Sequence, residues 1–140
     1  MTSPQPSLEG PGGPLAGRPP APLVVAVSVA GLEALLLVLF GLAELRSLHG
    51  ARVAMGITTT LFFVVYGLGL AYCAWQLRRM QSWARAPVVL AQLIQLGVAW
   101  SFRGGASTVA AVALAVLAVV VLAGVFHPAS LSALADDEEE

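Results

Sequence analysis

The first long apolar run of this chain is LVVAVSVAGLEALLLVLFGLA, residues 23–43, and its one ionisable side chain is Glu33. Thirteen residues of the run are Leu, Val or Phe, which favour membrane insertion by very roughly 4 to 8 kcal/mol in total. A charged carboxylate at the centre of a span costs on the order of 3 kcal/mol on insertion scales. Because the apolar contribution is larger, the run is predicted to be a membrane-spanning helix with an acid at its centre.

Three further spans are predicted at about 53–77, 86–102 and 106–126, in charge-free stretches of 25, 17 and 32 residues. A helix needs roughly 20 mainly apolar residues, with a range of about 17–25, to cross the hydrocarbon core. Inside lipid the backbone must satisfy its own hydrogen bonds, and uniformly apolar segments of this length do so as helices. The sequence therefore predicts an all-α polytopic membrane protein, a four-helix transmembrane bundle over residues 22–128.

The composition excludes other classes of protein. Only 11% of the 140 residues are charged and 58% are hydrophobic, with a mean hydropathy of +0.84, whereas soluble domains carry about 25% charged residues. A net charge of −1 gives no basic face, so no nucleic-acid partner is expected. The lone Cys73 and two histidines exclude an intrachain disulfide and predict no metal site.

Both chain ends differ from the apolar centre. Residues 1–21 are rich in Pro and Gly and are predicted to be a disordered tail, because they cannot bury enough surface to order. Residues 129–140 end in five consecutive acids and are predicted to be a solvated acidic tail. Two alternatives remain open. The first run could be a cleaved signal peptide. The third span, which is short and carries two glutamines, could be re-entrant.

The distribution of arginines predicts the orientation, because all seven basic residues are Arg. With four spans both termini share one side, which also holds Arg18, Arg78, Arg79 and Arg85, against three arginines on the other side. The positive-inside rule then predicts a multi-pass protein of the cell (inner) membrane whose N- and C-termini are cytoplasmic.

Glu33 is the most informative residue, because an ionisable group near the bilayer midplane is expensive and often functional. The centres of the second and third spans place Tyr66, Gln92 and Gln95 at matching depth, so a midplane polar cluster of these four side chains is predicted. No cation lies within any span, which favours an uncharged carboxyl. Such a cluster fixes helix packing through interhelical hydrogen bonds, forms a proton- or cation-coupled site, or contacts a partner protein.

Aromatic and basic residues at the span ends predict interfacial lipid anchors, because Trp prefers headgroup depth and Arg attracts anionic lipid. The predicted anchors are Trp75, Arg78, Arg79, Trp83, Arg85 and Trp100. The lipid bilayer is therefore the expected partner, together with a second copy of the chain or an unknown membrane protein.

The sequence holds no catalytic set, such as a Ser/His/Asp arrangement, H-E-x-x-H or a Gly-rich phosphate loop. We therefore expect a non-enzymatic membrane protein without cofactors, an accessory or scaffold subunit. The alternative function is a small proton-coupled transporter or channel that uses Glu33.

Two stretches carry a resemblance, GLEALLLVLFGLAEL at 31–45 and LRRMQSWARAPVVLAQLIQLGVAWSF at 77–102. They resemble uncharacterised small four-span integral membrane proteins of actinobacteria, and the most specific part is WARAPVVLAQL. The resemblance implies a multi-pass inner-membrane protein and implies no activity. Small multidrug-resistance exporters share only the four short helices and an acid in the first helix, which would correspond to Glu33.

Overall fold

A computed structural model describes residues 18–47, 53–104 and 108–136, and all regular structure in these ranges is helical. The α-helices are α1 (Ala21–Glu44), α2 (Val53–Arg78), α3 (Arg85–Ser101), α4 (Thr108–Val125) and α5 (Pro128–Asp136). Short 3₁₀ turns follow α1 and precede α3. Most of the predicted N-terminal tail, residues 1–17, and the last four acids lie outside the described residues.

Within these ranges, three helical segments are long and apolar enough to cross a membrane, namely Ala21–Ala43, Gly56–Arg78 and Thr108–Val125. The described residues confirm the prediction of a helical protein that has helices long and apolar enough to cross a membrane. Helix α3 has 17 residues and is about 25 Å long, which is less than the ~30 Å hydrocarbon core.

Helix α1 is the centre of the packing, because it contacts α2 along much of its length and α4 on another side. Helix α3 packs along α4, and its contact with α2 is sparse. Helices α1 and α3 therefore lie diagonally across the bundle, with α2 and α4 at the other two corners. The core is built on α1 from small and branched apolar side chains, among them Leu23, Ala26, Ala30 and Ala34.

Two glycines allow α1 to approach its neighbours closely. A Cβ on Gly67 of α2 would lie 2.9 Å from the carbonyl oxygen of Ala34. A Cβ on Gly124 of α4 would lie 2.5 Å from the carbonyl oxygen of Pro22 and 2.8 Å from the Cβ of Ala26. Small residues at such crossings permit the backbone proximity by which membrane helices associate without a hydrophobic driving force.

The connection between α2 and α3 is a tight turn. Met80 adopts φ 65°, and the Gln81 N–H donates to the Gln76 carbonyl oxygen at 3.1 Å. This is the Schellman arrangement, in which a left-handed residue lets the chain satisfy the last carbonyls of a helix. The turn reverses the chain and brings the three arginines of residues 78–85 to one end of the bundle.

Helix α5 differs from the sequence-based expectation, which assigned residues 129–140 to an acidic tail. Residues Pro128–Asp136 form a helix whose Ser130 and Leu134 are buried. The Ser130 hydroxyl donates to the Gly124 carbonyl oxygen at 2.7 Å, and Leu134 joins the core. The apolar residues before the acids therefore fold back onto the bundle, because they still have surface to bury.

Candidate functional site

The buried acid of α1 is hydrogen bonded to two glutamines of α3. Gln92 Nε2 donates to Glu33 Oε2 at 2.8 Å, and Gln95 Nε2 donates to Glu33 Oε1 at 2.9 Å. The two glutamines are three residues apart and so share one face of α3. Each carboxyl oxygen of Glu33 thus has its own amide donor. The structure brings together three of the four residues that the sequence placed in a midplane cluster.

These bonds connect the two helices that lie diagonally across the bundle. Glu33 is 5% exposed and Gln92 is fully buried, so the cluster occupies the interior of the bundle. The long side chains of glutamate and glutamine span a distance at which the backbones of α1 and α3 make almost no contact. The cluster is the polar link across this diagonal.

A third helix contributes a backbone acceptor. Gln95 Nε2 also donates to the carbonyl oxygen of Leu114 in α4, at 3.1 Å. An amide nitrogen has two hydrogens, so Gln95 uses both, one towards α1 and one towards α4. Sequence reasoning missed Leu114, because a backbone carbonyl leaves no signal in the residue type.

Tyr66, the fourth predicted member, has a different environment. Its half-buried ring stacks on Phe62 of the same helix, with centroids 5.8 Å apart and planes at 14°. No hydrogen bond connects its hydroxyl to Glu33 within the described part of the chain. Tyr66 lies instead along an apolar groove between α2 and α3, together with Leu70 and Ala91.

One acceptor of the cluster differs from the others. The side-chain oxygen of Gln92 is buried and makes no hydrogen bond to any described residue. The oxygen and the NH₂ group of a glutamine side chain have similar size and shape. Rotation of the Gln92 amide by 180° would therefore place its oxygen, in place of its nitrogen, beside Glu33. In that arrangement a protonated Glu33 could donate to Gln92. The cluster can therefore accommodate a carboxylate or a carboxylic acid.

Aromatic rings and arginines gather where α2 turns into α3. The guanidinium of Arg79 lies 4.4 Å from the centroid of the Trp75 ring, a cation–π contact. The centroid of the Tyr72 ring lies 6.2 Å from the ring centroids of both Trp75 and Trp83, so this ring contacts the turn as well as its own helix α2. Arg78 is exposed at the end of α2.

The remaining predicted anchors lie at both ends of α3. Arg85 is half-buried at its first residue, close to the α2–α3 turn. Trp100 lies near its other end, where the Arg103 guanidinium is 3.2 Å from the ring centroid. Trp100 is therefore paired with an arginine just as Trp75 is, although the sequence grouped Arg103 with no site.

Known proteins offer no guide to this cluster: the chain matches no family model, and neither the curated proteins nor the solved structures include a significant match.

Proposed function

We propose that this chain is a small non-catalytic membrane protein, an accessory or scaffold subunit, whose rigid bundle depends on the Glu33 cluster. The observation that carries the proposal is the pair of hydrogen bonds from Gln92 and Gln95 to Glu33 across the bundle diagonal. The acid is nearly fully buried, and the residues that line the two described grooves do not include it. These features support a packing role.

The proposal predicts that Glu33→Leu destabilises the bundle, because the buried amide of Gln92 and the half-buried amide of Gln95 each lose an acceptor. Interhelical hydrogen bonds contribute roughly 0.6–2 kcal/mol each in membranes, so the free energy of unfolding should fall by about 2 kcal/mol. Unfolding by SDS titration in mixed micelles measures it.

Two controls sharpen this test. Glu33→Gln should lower the free energy of unfolding by less than Glu33→Leu does, because the side-chain oxygen of Gln92 can accept a hydrogen bond from the new amide. Thr58→Val serves as the matched surface control, since the exposed Thr58 hydroxyl bonds only to its own helix, at Ala54. Wild-type stability of Glu33→Leu would contradict the packing role.

The second candidate function is a small proton-coupled transporter or channel. The Gln92 side-chain oxygen favours it, because after rotation of the amide this oxygen could accept a hydrogen bond from a protonated Glu33 carboxyl. Proton flux into liposomes that hold the purified chain, followed with an internal pH dye, separates the two functions. The scaffold proposal expects flux no greater than in empty liposomes, whereas a flux that Glu33→Gln abolishes would establish the second.

The proposed membrane arrangement has four spans, with α3 as the short third span and both termini in the cytoplasm of a cell with an inner membrane. The short connections between consecutive helices and the side on which the α2–α3 arginines lie support it. A reporter fused to the C-terminus should read cytoplasmic. With Cys73 replaced by Ala, single cysteines at Arg79 and Arg103 should label from opposite sides. Labelling from the same side would contradict α3 as a span.

The resemblance to four-span actinobacterial membrane proteins remains part of this proposal. A scaffold subunit also implies a partner, either a second copy or another membrane protein. Affinity purification from native membranes, with identification of the co-purified proteins, tests for it. A chain that purifies alone at every mild detergent condition would argue against an accessory role.

A further inference from the structure

Helices α2 and α3 are separated by an apolar groove of about 270 Å³. It is lined on α2 by Tyr66, Gly69 and Cys73 and on α3 by Pro87 and Ile94. The lining residues extend over eight positions on each helix, which is a length of about 10 Å. The groove runs from the middle of α2 towards the α2–α3 turn, and so lies within one leaflet of the membrane proposed above.

Gly69 shows that the groove is open space. A Cβ at this glycine would meet nothing within 4 Å, in contrast to the crowded Gly67 two residues earlier. The helices that enclose the groove make only sparse contact with each other. At the turn, the contact between Tyr72 and Trp83 joins α2 to the connection beside the end of the groove.

The charge at that end is strongly one-sided. Arg78, Arg79 and Arg85 lie within eight positions, and no Asp or Glu occurs anywhere in residues 45–135. Glu33 is engaged with the glutamines of α3 in the bundle interior. The guanidinium of Arg79 lies 4.4 Å from the centroid of the Trp75 ring, and its N–H groups are the kind of donor that binds phosphate oxygens.

We infer that the α2–α3 groove binds one anionic phospholipid, with an acyl chain along Gly69 and Cys73 and the phosphate near the three arginines. An apolar groove fits an acyl chain, and a cluster of arginines at the end of α2 and the start of α3 fits a phosphate. This inference rests on the membrane location proposed above. It names a bound partner lipid in addition to the surrounding bilayer.

Cys73, the only cysteine of the chain, is a built-in reporter because it lines the groove and is half-buried. The full chain in detergent micelles is treated with N-ethylmaleimide while phosphatidylglycerol is titrated, and the labelling rate of Cys73 is measured. Phosphatidylcholine with the same acyl chains is the comparison lipid. We expect saturable protection, with a preference of about 100-fold for phosphatidylglycerol, since each arginine near an anionic surface contributes several-fold.

Variants assign the protection to the groove and to the arginines. Gly69→Phe should fill the groove and abolish phosphatidylglycerol binding, as counted by native mass spectrometry. Gly97→Phe is the matched control, because a Cβ at Gly97 on α3 also meets nothing within 4 Å and Gly97 does not line the groove. Replacing Arg78, Arg79 and Arg85 by Gln should remove the preference for phosphatidylglycerol, so that both lipids bind with the affinity of phosphatidylcholine.

Several results would overturn the inference. Equal protection by both lipids would show that the arginines select nothing, and would leave the membrane location untouched. Equal lipid loss in Gly69→Phe and Gly97→Phe would show that the groove is not the site. A dimer that Gly69→Phe dissociates would make a second copy the occupant. A gain of phosphatidylglycerol binding only after deletion of residues 137–140 would assign the arginines to the acidic tail.

Discussion

The two neighbours of helix α2 are packed in opposite ways. Along α1, the glycine at position 67 meets the backbone of Ala34, and the helices approach as closely as their atoms allow. Along α3, the glycine at position 69 meets nothing, and the helices enclose a groove. A small residue therefore permits a close helix contact, and it does not by itself produce one.

The largest test of this difference compares crowded and open glycines. Gly124→Leu places side-chain atoms where the Pro22 carbonyl oxygen lies 2.5 Å from an ideal Cβ, so α1 and α4 must separate. Overpacking costs about 1–3 kcal/mol, and Gly124→Leu should reach the upper end of this range, because it meets backbone atoms. Gly69→Leu should cost less than about 0.5 kcal/mol, since the groove has room and leucine favours a helix. SDS-titrated unfolding measures both, and equal losses would show that both sites are tightly packed.

A smaller effect is expected from the glutamines that hold α3. Gln95→Leu removes hydrogen bonds to both Glu33 and Leu114 and should cost about 2 kcal/mol. Gln92→Leu removes one bond together with a buried oxygen that has no partner, so it should cost less than about 1 kcal/mol. The same unfolding titration ranks them. The reverse order would mean that the Gln92 oxygen has a partner in the membrane.

The smallest expected effect is a gain in stability on the crowded side of α2. Thr60 is buried, and its hydroxyl makes no hydrogen bond in the part of the chain that the structure describes. Thr60→Val keeps the shape and removes the unsatisfied group, which should raise the free energy of unfolding by up to about 1 kcal/mol. Thr58→Val, on the exposed face, is the control. A loss of stability in Thr60→Val would reveal a hydroxyl partner.

Much of the fold follows from the sequence. The helical class follows from long apolar segments, since a backbone in lipid has few ways to satisfy its hydrogen bonds. The depth of Glu33, Gln92 and Gln95 was also predictable, because helical rise fixes how far along a span each residue lies. Tyr66 has the same depth, yet its ring stacks on Phe62 and within the described residues its hydroxyl makes no hydrogen bond to Glu33, because depth along a helix does not specify rotation about its axis.

Other features had no signal in the sequence. The hydrogen bond from Gln95 to the Leu114 carbonyl oxygen depends on how α4 is placed beside α3. The residue type at position 114 does not predict it, because every residue has a backbone carbonyl. Helix α5 was not predicted, because the five acids at the end of the chain indicated a solvated tail. Its Leu134 nevertheless packs in the core.

The sequence by itself determined the class of protein, the helices and the depth of the buried acid, because these depend on hydropathy and on distance along the chain. Only the tertiary structure decided which faces meet: that Glu33 bridges to α3 across the diagonal, and that α2 closes on α1 while remaining apart from α3. Those outcomes depend on the relative rotation and placement of packed helices. Contacts among residues far apart in the chain set both, and no local stretch encodes them.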